Sequence, residues 1–134
     1  MSITTSKIAP LLMFTGQAQE AINFYVSLFP NSSIAALTLY KKNELGKEGT
    51  VQHATFVLDG AQFFCIDSPP VHAFTFTPSI SLAVNCDTEE EVERLFKALS
   101  EGGTTLMPLS AYPFSKKFGW VSDRFGVSWQ LKLV

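Results

Sequence analysis

The sequence has few charged residues and no dense basic region. Charged residues make up 16% of the 134 residues, the net charge is −2, and the basic doublets Lys41-Lys42 and Lys116-Lys117 stand far apart. Binding to a nucleic-acid backbone requires clustered lysine and arginine side chains. We therefore expect no nucleic-acid partner.

Long apolar segments and cysteine motifs are also missing. No apolar run approaches the length of a transmembrane helix, and residues 1–7 lack the apolar stretch of a signal peptide. We therefore expect no membrane association. Cys65 and Cys86 lie in strand-like or strand-end segments without CxxC spacing. We expect both to be free thiols in a reducing compartment, and we place the protein in the cytoplasm.

Hydrophobic residues, by contrast, are abundant. They make up 46% of the chain and include 12 phenylalanines. The length fits a single domain covering residues 1–134. Twelve phenylalanines are more than one small core usually needs, so the excess could line a ligand cavity or a subunit interface. An aromatic-rich core is the simpler alternative.

The first half of the chain predicts the element order β-α-β-β-β. Residues 7–14 form a short apolar run, and residues 17–29 repeat apolar side chains with the period of a helix that ends at Pro30. Strands are predicted at residues 33–40, 50–58 and 61–67. Asp59-Gly60 marks a hairpin turn before the last of them.

The second half repeats this order. After a proline-containing linker, residues 68–78, a strand is predicted at residues 79–85. Asp87 or Thr88 can cap the next helix, which Gly102-Gly103 ends. The remaining strands are predicted at residues 104–109, 118–122 and 127–134. Two modules follow, residues 7–67 and 79–134, and in each a glycine, Gly60 or Gly126, turns into the last strand.

Five segments carry a family resemblance. They are residues 16–25 (GQAQEAINFY), 28–31 (LFPN), 76–79 (FTPS), 84–87 (VNCD) and 119–130 (GWVSDRFGVSWQ). Together they resemble the PhnB-like branch of the glyoxalase/bleomycin resistance/dioxygenase, or vicinal oxygen chelate, superfamily, whose members are often labelled demethylubiquinone methyltransferase-like. The resemblance implies an α+β fold of two tandem βαβββ modules, curled around a cleft and commonly found as a homodimer.

The resemblance also implies where a metal would bind. In metal-dependent relatives, His, Gln and Glu side chains from the first and last strands of each module hold one divalent ion. The matching positions here are Pro10, Ser79, Gln130 and either Phe64 or Cys65. This set contains no carboxylate or imidazole, which Zn²⁺ and harder ions need. We expect no metal and no other cofactor.

The two histidines do not change this expectation. His53 lies on a predicted strand and His72 in the linker, and neither has a metal-ligand spacing such as His-x-x-x-His. We interpret them as a partly buried strand histidine and a loop histidine. His53 still remains a candidate for the lining of the cleft.

Strand alternation predicts which side chains line the cleft. If Pro10 and Ser79 face it, alternate residues of their strands share that side, whereas Leu11 and Met13 pack beneath the helix. The candidate ligand-binding residues are Leu12, Phe14, His53, Cys65, Ser79, Ser81, Trp120 and Gln130. Such a cleft is mainly apolar with a few polar groups, as small-molecule pockets usually are.

These observations favour a metal-independent small-molecule binding protein with an unidentified ligand. The alternatives are a divalent-metal-dependent lyase, isomerase or dioxygenase of the same superfamily, and a purely structural dimer. A methyltransferase of the Rossmann type needs a glycine-rich loop between strand and helix, and the sequence offers only Gly102-Gly103 at a helix end. The sequence contains neither a nucleophile–base pair nor a Gly-x-Ser-x-Gly motif. It therefore does not indicate whether the protein catalyses a reaction.

Overall fold

The computed structural model describes residues 6–69 and 71–134 of the chain. Residues 1–5, on which the expectation about a signal peptide partly rests, and Pro70 of the predicted linker lie outside the described residues. The chain divides after Ala73 into two compact units. Among the described residues, no helix is both long enough and apolar enough to cross a membrane.

Unit one has the predicted order β-α-β-β-β. Its elements are β1 (Leu11–Phe14), α1 (Ala18–Leu28), β2 (Ser33–Leu39), β3 (Val51–Leu58) and β4 (Ala61–Asp67). The sheet order is β1-β4-β3-β2. The pair β1/β4 is parallel and the other two pairs are antiparallel.

Unit two repeats the same architecture. Its elements are β5 (Leu82–Cys86), α2 (Glu89–Ser100), β6 (Thr104–Tyr112), β7 (Ser115–Ser122) and β8 (Ser128–Leu133), with sheet order β5-β8-β7-β6. Again the first and last strands pair in parallel. The α+β fold of two tandem βαβββ modules is therefore confirmed.

Two strand predictions in unit two were wrong in extent. The strand predicted at residues 79–85 begins only at Leu82, and Ser79 lies in the preceding turn. Residues 110–117, which lie between two predicted strands, complete a long β6–β7 hairpin. Pro108 is accommodated within β6 because β6 is an edge strand, where a missing N–H is tolerated.

The two helices begin in different ways. Thr88 caps α2, since its Oγ1 accepts the Glu91 N–H at 3.1 Å while Glu91 Oε1 accepts the Asp87 N–H at 2.8 Å. Gln17 supplies no side-chain cap to α1. The buried carboxylate of Asp67 on β4 takes this role, with Oδ1 accepting the N–H groups of Gly16 at 2.7 Å and Ala18 at 3.1 Å.

The hydrogen bonds from the start of α1 to Asp67 show which side of the first sheet faces α1. Because side chains alternate along a strand, Cys65 lies on the same side of β4 as Asp67. The sheet partners of Cys65 and Asp67 on β1 are Leu12 and Phe14, and all four side chains are buried. The opposite face of this sheet, which we call the distal face of unit one, carries Phe64.

Leu12, Phe14 and Cys65 were predicted to face a cleft, and this prediction was wrong because their side chains face α1. It was anchored on Pro10, which precedes β1 and contributes only its carbonyl oxygen, a hydrogen-bond acceptor for Phe64 N–H at 2.9 Å. Leu12 and Phe14 pack on the helix side because α1 is the cover that unit one supplies for large apolar side chains.

Both cysteines are free and buried. Burial, with the neighbouring charge of Asp67, raises the pKa of Cys65 to about 12. Burial, with the nearby Glu91 and Asp87 charges, raises the pKa of Cys86 to about 11. The thiolate is the reactive form, so both thiols are protected from oxidants and alkylating reagents while the protein is folded.

We expect neither cysteine to react with Ellman's reagent at pH 8 in the folded protein, and both to react within minutes in urea. As a positive control, Ser110→Cys places a thiol at an exposed position and should react at once. Because the folded pKa values exceed that of an unfolded thiol, their contribution to stability is complete below about pH 9 and declines above it. Rapid reaction of folded wild-type protein would contradict this assignment.

Candidate functional site

The sheet of unit two has one face against α2 and one face turned away from it. A Cβ on Gly119 of β7 would lie 2.5 Å from the Phe96 ring of α2, so Gly119 points towards the helix. Its neighbour Trp120 therefore points away from α2, as does its sheet partner Gln130. We call this side the distal face of unit two.

Four polar or amphipathic side chains meet on the distal face. Trp120 Nε1 donates to Ser128 Oγ at 2.8 Å, and Ser128 Oγ shares a 2.7 Å hydrogen bond with Ser81 Oγ. Gln130 Nε2 approaches Ser81 Oγ at 3.5 Å. Three of the eight predicted ligand-binding residues, Ser81, Trp120 and Gln130, are thus brought together through Ser128.

The cluster is sheltered but still accessible. Ser128 is buried, whereas Ser81, Trp120 and Gln130 are half-buried. Exposed Ala83 is the sheet partner of Gln130 and leaves space beside its amide. A flat indole, an amide and two hydroxyls around a small side chain can hold a ligand by stacking and neutral hydrogen bonds.

Phe118 extends the cluster and was not among the predicted site residues. It precedes Trp120 by two positions on β7 and so lies on the same side of the strand. Its ring meets that of Phe114 at a centroid distance of 4.9 Å and that of Tyr112 at 5.9 Å. The two-residue spacing from Trp120 was the sequence signal that could have identified it.

The remaining predicted residues lie elsewhere. Ser79 hydrogen-bonds Thr77 across 2.8 Å within its turn and is absent from the sheet. His53 lies on the distal face of unit one, with its ring 5.6 Å from that of Phe64. This contact and the pairing of β4 place Phe64, rather than Cys65, on that face.

The strand register shows which residues occupy matching positions in the two units. Phe64 and Gln130 occupy matching places, each four residues after the glycine of its turn, and their parallel partners are Leu11 and Ala83. Pro10 and Ser79, to which the resemblance assigns the first-strand positions, both lie outside the strands. Within this set Gln130 alone carries a donor atom for a metal.

These residues do not fit a divalent ion. One neutral amide cannot replace the several imidazole or carboxylate ligands that such ions need. The Cys65 thiol faces α1, and its raised pKa disfavours the thiolate that binds metals. Across residues 6–69 and 71–134, no three His, Cys, Asp or Glu side chains come together as a potential metal site.

Comparison with known proteins places this geometry in a family. The sequence profile of the 3-demethylubiquinone-9 3-methyltransferase family matches residues 6–132. The structure of a PhnB protein from Bacillus cereus is 57% identical with a TM-score of 0.94, covering 96% of this chain and 100% of that one. Protein YjdN of Escherichia coli K12 is 24% identical over 145 residues, with 95% of each chain covered.

The fold itself extends beyond this family. A glyoxalase/bleomycin resistance protein from Albidiferax ferrireducens T118 has a TM-score of 0.60 at 13% identity, covering 96% of this chain and 99% of that one. Identity at that level indicates a common fold alone. The profile match and the Bacillus structure together show that the chain belongs to the PhnB-like, 3-demethylubiquinone-9 3-methyltransferase family.

Proposed function

We propose that the protein binds a small organic molecule on the distal face of unit two and does so without a metal ion. The observation that carries this proposal is the hydrogen-bonded cluster of Ser81, Ser128, Trp120 and Gln130. Linked polar side chains beside aromatic ones are typical of groups that orient a ligand.

The proposal is further supported by the donor chemistry of the site. Gln130, Trp120 and the two serines offer neutral hydrogen-bonding groups rather than metal ligands. A metal-dependent lyase, isomerase or dioxygenase would require ligands that Leu11, Phe64 and Ala83 cannot supply. The methyltransferase name is a label of the family, and no methyl-transfer chemistry follows from these residues.

The test is a small-molecule screen on chelator-treated protein, read by tryptophan fluorescence. Trp120 lies in the cluster, whereas buried Trp129 provides a steady background signal. For a molecule that binds, we expect the same affinity with EDTA and with added Mg²⁺, Mn²⁺ or Zn²⁺. Gln130→Ala should weaken binding up to about tenfold, since a neutral hydrogen bond contributes about 0.5–1.5 kcal/mol.

The matched control removes the side-chain amide of a glutamine outside the site. Gln19 is exposed on α1 in unit one, so Gln19→Ala should leave affinity unchanged. We also propose a cytoplasmic homodimer, and light scattering on the same sample reports the oligomeric state. Affinity that appears only with a metal ion, or an equal loss in both glutamine variants, would overturn the proposed site.

A further inference from the structure

The distal face of unit two also carries a positive charge at one end. Lys132 follows Gln130 on this side of β8, about 7 Å further along the strand. Its sheet partner on β5 is Asn85, and both side chains are exposed. The face therefore has neutral hydrogen-bonding groups at its centre and a cation beside an amide at its end.

Lys132 has its ammonium group available. The two ion pairs within residues 6–69 and 71–134 both belong to Lys117, whose Nζ lies 2.7 Å from Glu93 and 3.9 Å from Glu89 on α2. An ammonium group with an amide N–H donor beside it forms a charge-assisted site for a carboxylate. The charge at this end therefore favours an anionic ligand group.

One of the two serine hydroxyl protons is not used in a hydrogen bond within the cluster. Ser81 and Ser128 bring two hydroxyl protons, of which one joins the two oxygens. Trp120 and Gln130 approach these oxygens through N–H donors, so the second hydroxyl proton finds no acceptor in this cluster. It can be donated to an oxygen of the ligand.

The side-chain amide of Gln130 offers both a hydrogen-bond donor and a hydrogen-bond acceptor. Its Nε2–Oγ distance to Ser81 is 3.5 Å, which is long for a hydrogen bond, so the amide can turn towards a ligand at little cost. With its oxygen accepting and its N–H donating, the centre of the face complements a neutral group that has a donor and an acceptor, such as a carboxamide.

A planar body fits between these two ends. Small, exposed Ala83 leaves the sheet uncovered next to Gln130. Across β8, the sheet partners of Gln130 and Lys132 are the aromatic residues Trp120 and Phe118. Aromatic side chains hold ligand rings by offset or edge contacts.

Building on the proposed function, we propose that the ligand is a small aromatic acid. Its carboxylate lies at Lys132 and Asn85, and a carboxamide-like group at the opposite end of the ring meets Gln130. The ring lies over β8 between these two ends, with Ala83 on one side and Trp120 on the other. A para-substituted benzene ring separates two such groups by a distance comparable with the spacing of Gln130 and Lys132.

The test compares 4-carbamoylbenzoate with benzamide, which lacks the carboxylate. Both are titrated at millimolar concentrations, with Trp120 fluorescence and NMR line broadening of the probe as readouts. Lys132→Met should lower the affinity for 4-carbamoylbenzoate about fivefold, corresponding to roughly 1 kcal/mol for a partly exposed ion pair. The affinity for benzamide should be unchanged. Lys97→Met, on the exposed surface of α2, should affect neither probe.

The outcomes separate this inference from the function on which it rests. If Lys132→Met has no effect, or if neither probe binds while another screened molecule binds through Gln130, the aromatic-acid assignment is overturned and small-molecule binding stands. If no screened molecule binds wild-type protein, both are overturned. Loss of 4-carbamoylbenzoate affinity confined to Lys132→Met and Gln130→Ala supports both.

Discussion

Asp67→Ala is expected to lower the free energy of unfolding by about 4 kcal/mol, because hydrogen bonds to a charged group contribute roughly 1.5–3 kcal/mol each and are not fully additive. The buried carboxylate accepts three backbone N–H groups. Oδ1 accepts those of Gly16 and Ala18, and Oδ2 accepts that of Val51 at 2.9 Å. Alanine leaves all three donors without this acceptor.

The size of the effect follows from what the three donors belong to. Gly16 and Ala18 form the start of α1, whose Gln17 supplies no side-chain cap, and Val51 begins β3. One carboxylate therefore joins the end of β4 to the beginnings of a helix and a strand. Asp67→Asn should lower the free energy of unfolding by about half as much. The amide oxygen can still accept the N–H groups at one carboxylate position, whereas the NH₂ group meets an N–H donor at the other.

Urea denaturation followed by circular dichroism measures these differences. Glu48→Ala removes an exposed carboxylate from the same unit and should change stability by less than about 0.5 kcal/mol. If Asp67→Ala were no more destabilising than Glu48→Ala, the capping role of the carboxylate would be disproved.

Gly103→Ala is expected to destabilise the protein by about 3 kcal/mol, at the upper end of the usual range for overpacking. A Cβ at Gly103 would lie 2.2 Å from the carbonyl oxygen of Ser122 and 2.9 Å from the carbonyl carbon of Asp123. These are backbone atoms at the end of β7, so no side chain can rotate away. The substitution must push apart the start of β6 and its partner strand.

The neighbouring glycine provides the matched comparison. Gly102 has a φ of 75°, and its Cβ would meet only the Arg124 side chain, at 3.3 Å. Gly102→Ala should therefore cost about 1–2 kcal/mol, the strain of a left-handed backbone. Urea midpoints for the two variants distinguish the causes, and a smaller loss for Gly103→Ala than for Gly102→Ala would refute the backbone collision.

Much of the fold could be predicted because the local signals were strong. The helical period after Gly16, the Asp59-Gly60 turn and the internal repeat gave the element order of both units. Boundaries failed where tertiary position overrides local preference. The strand predicted from Ser79 begins only at Leu82, and β6 and β7 extend beyond their predicted ends because they pair with each other as far as Tyr112 and Ser115.

The facing of the strands that carry the candidate site could be predicted in unit two and not in unit one. Alternation starting from Gln130 placed the last strand correctly, because its large apolar neighbours Trp129 and Leu131 mark the buried side. In β1 both sides carry large apolar residues, so periodicity could not identify the covered side. The contacts of Asp67 decide that question, and the sequence pattern does not distinguish Asp67 from an ordinary strand-end carboxylate.

The parallel pairing within each unit has a consequence for the speed of folding. The β3–β4 hairpin forms between neighbours in the chain, whereas β1 meets β4 through positions 12 and 65, closing a loop of more than 50 residues. Closing such a loop costs chain entropy before any contact compensates for it. We expect β1 and β5, short edge strands with distant partners, to attach last during folding and to detach first.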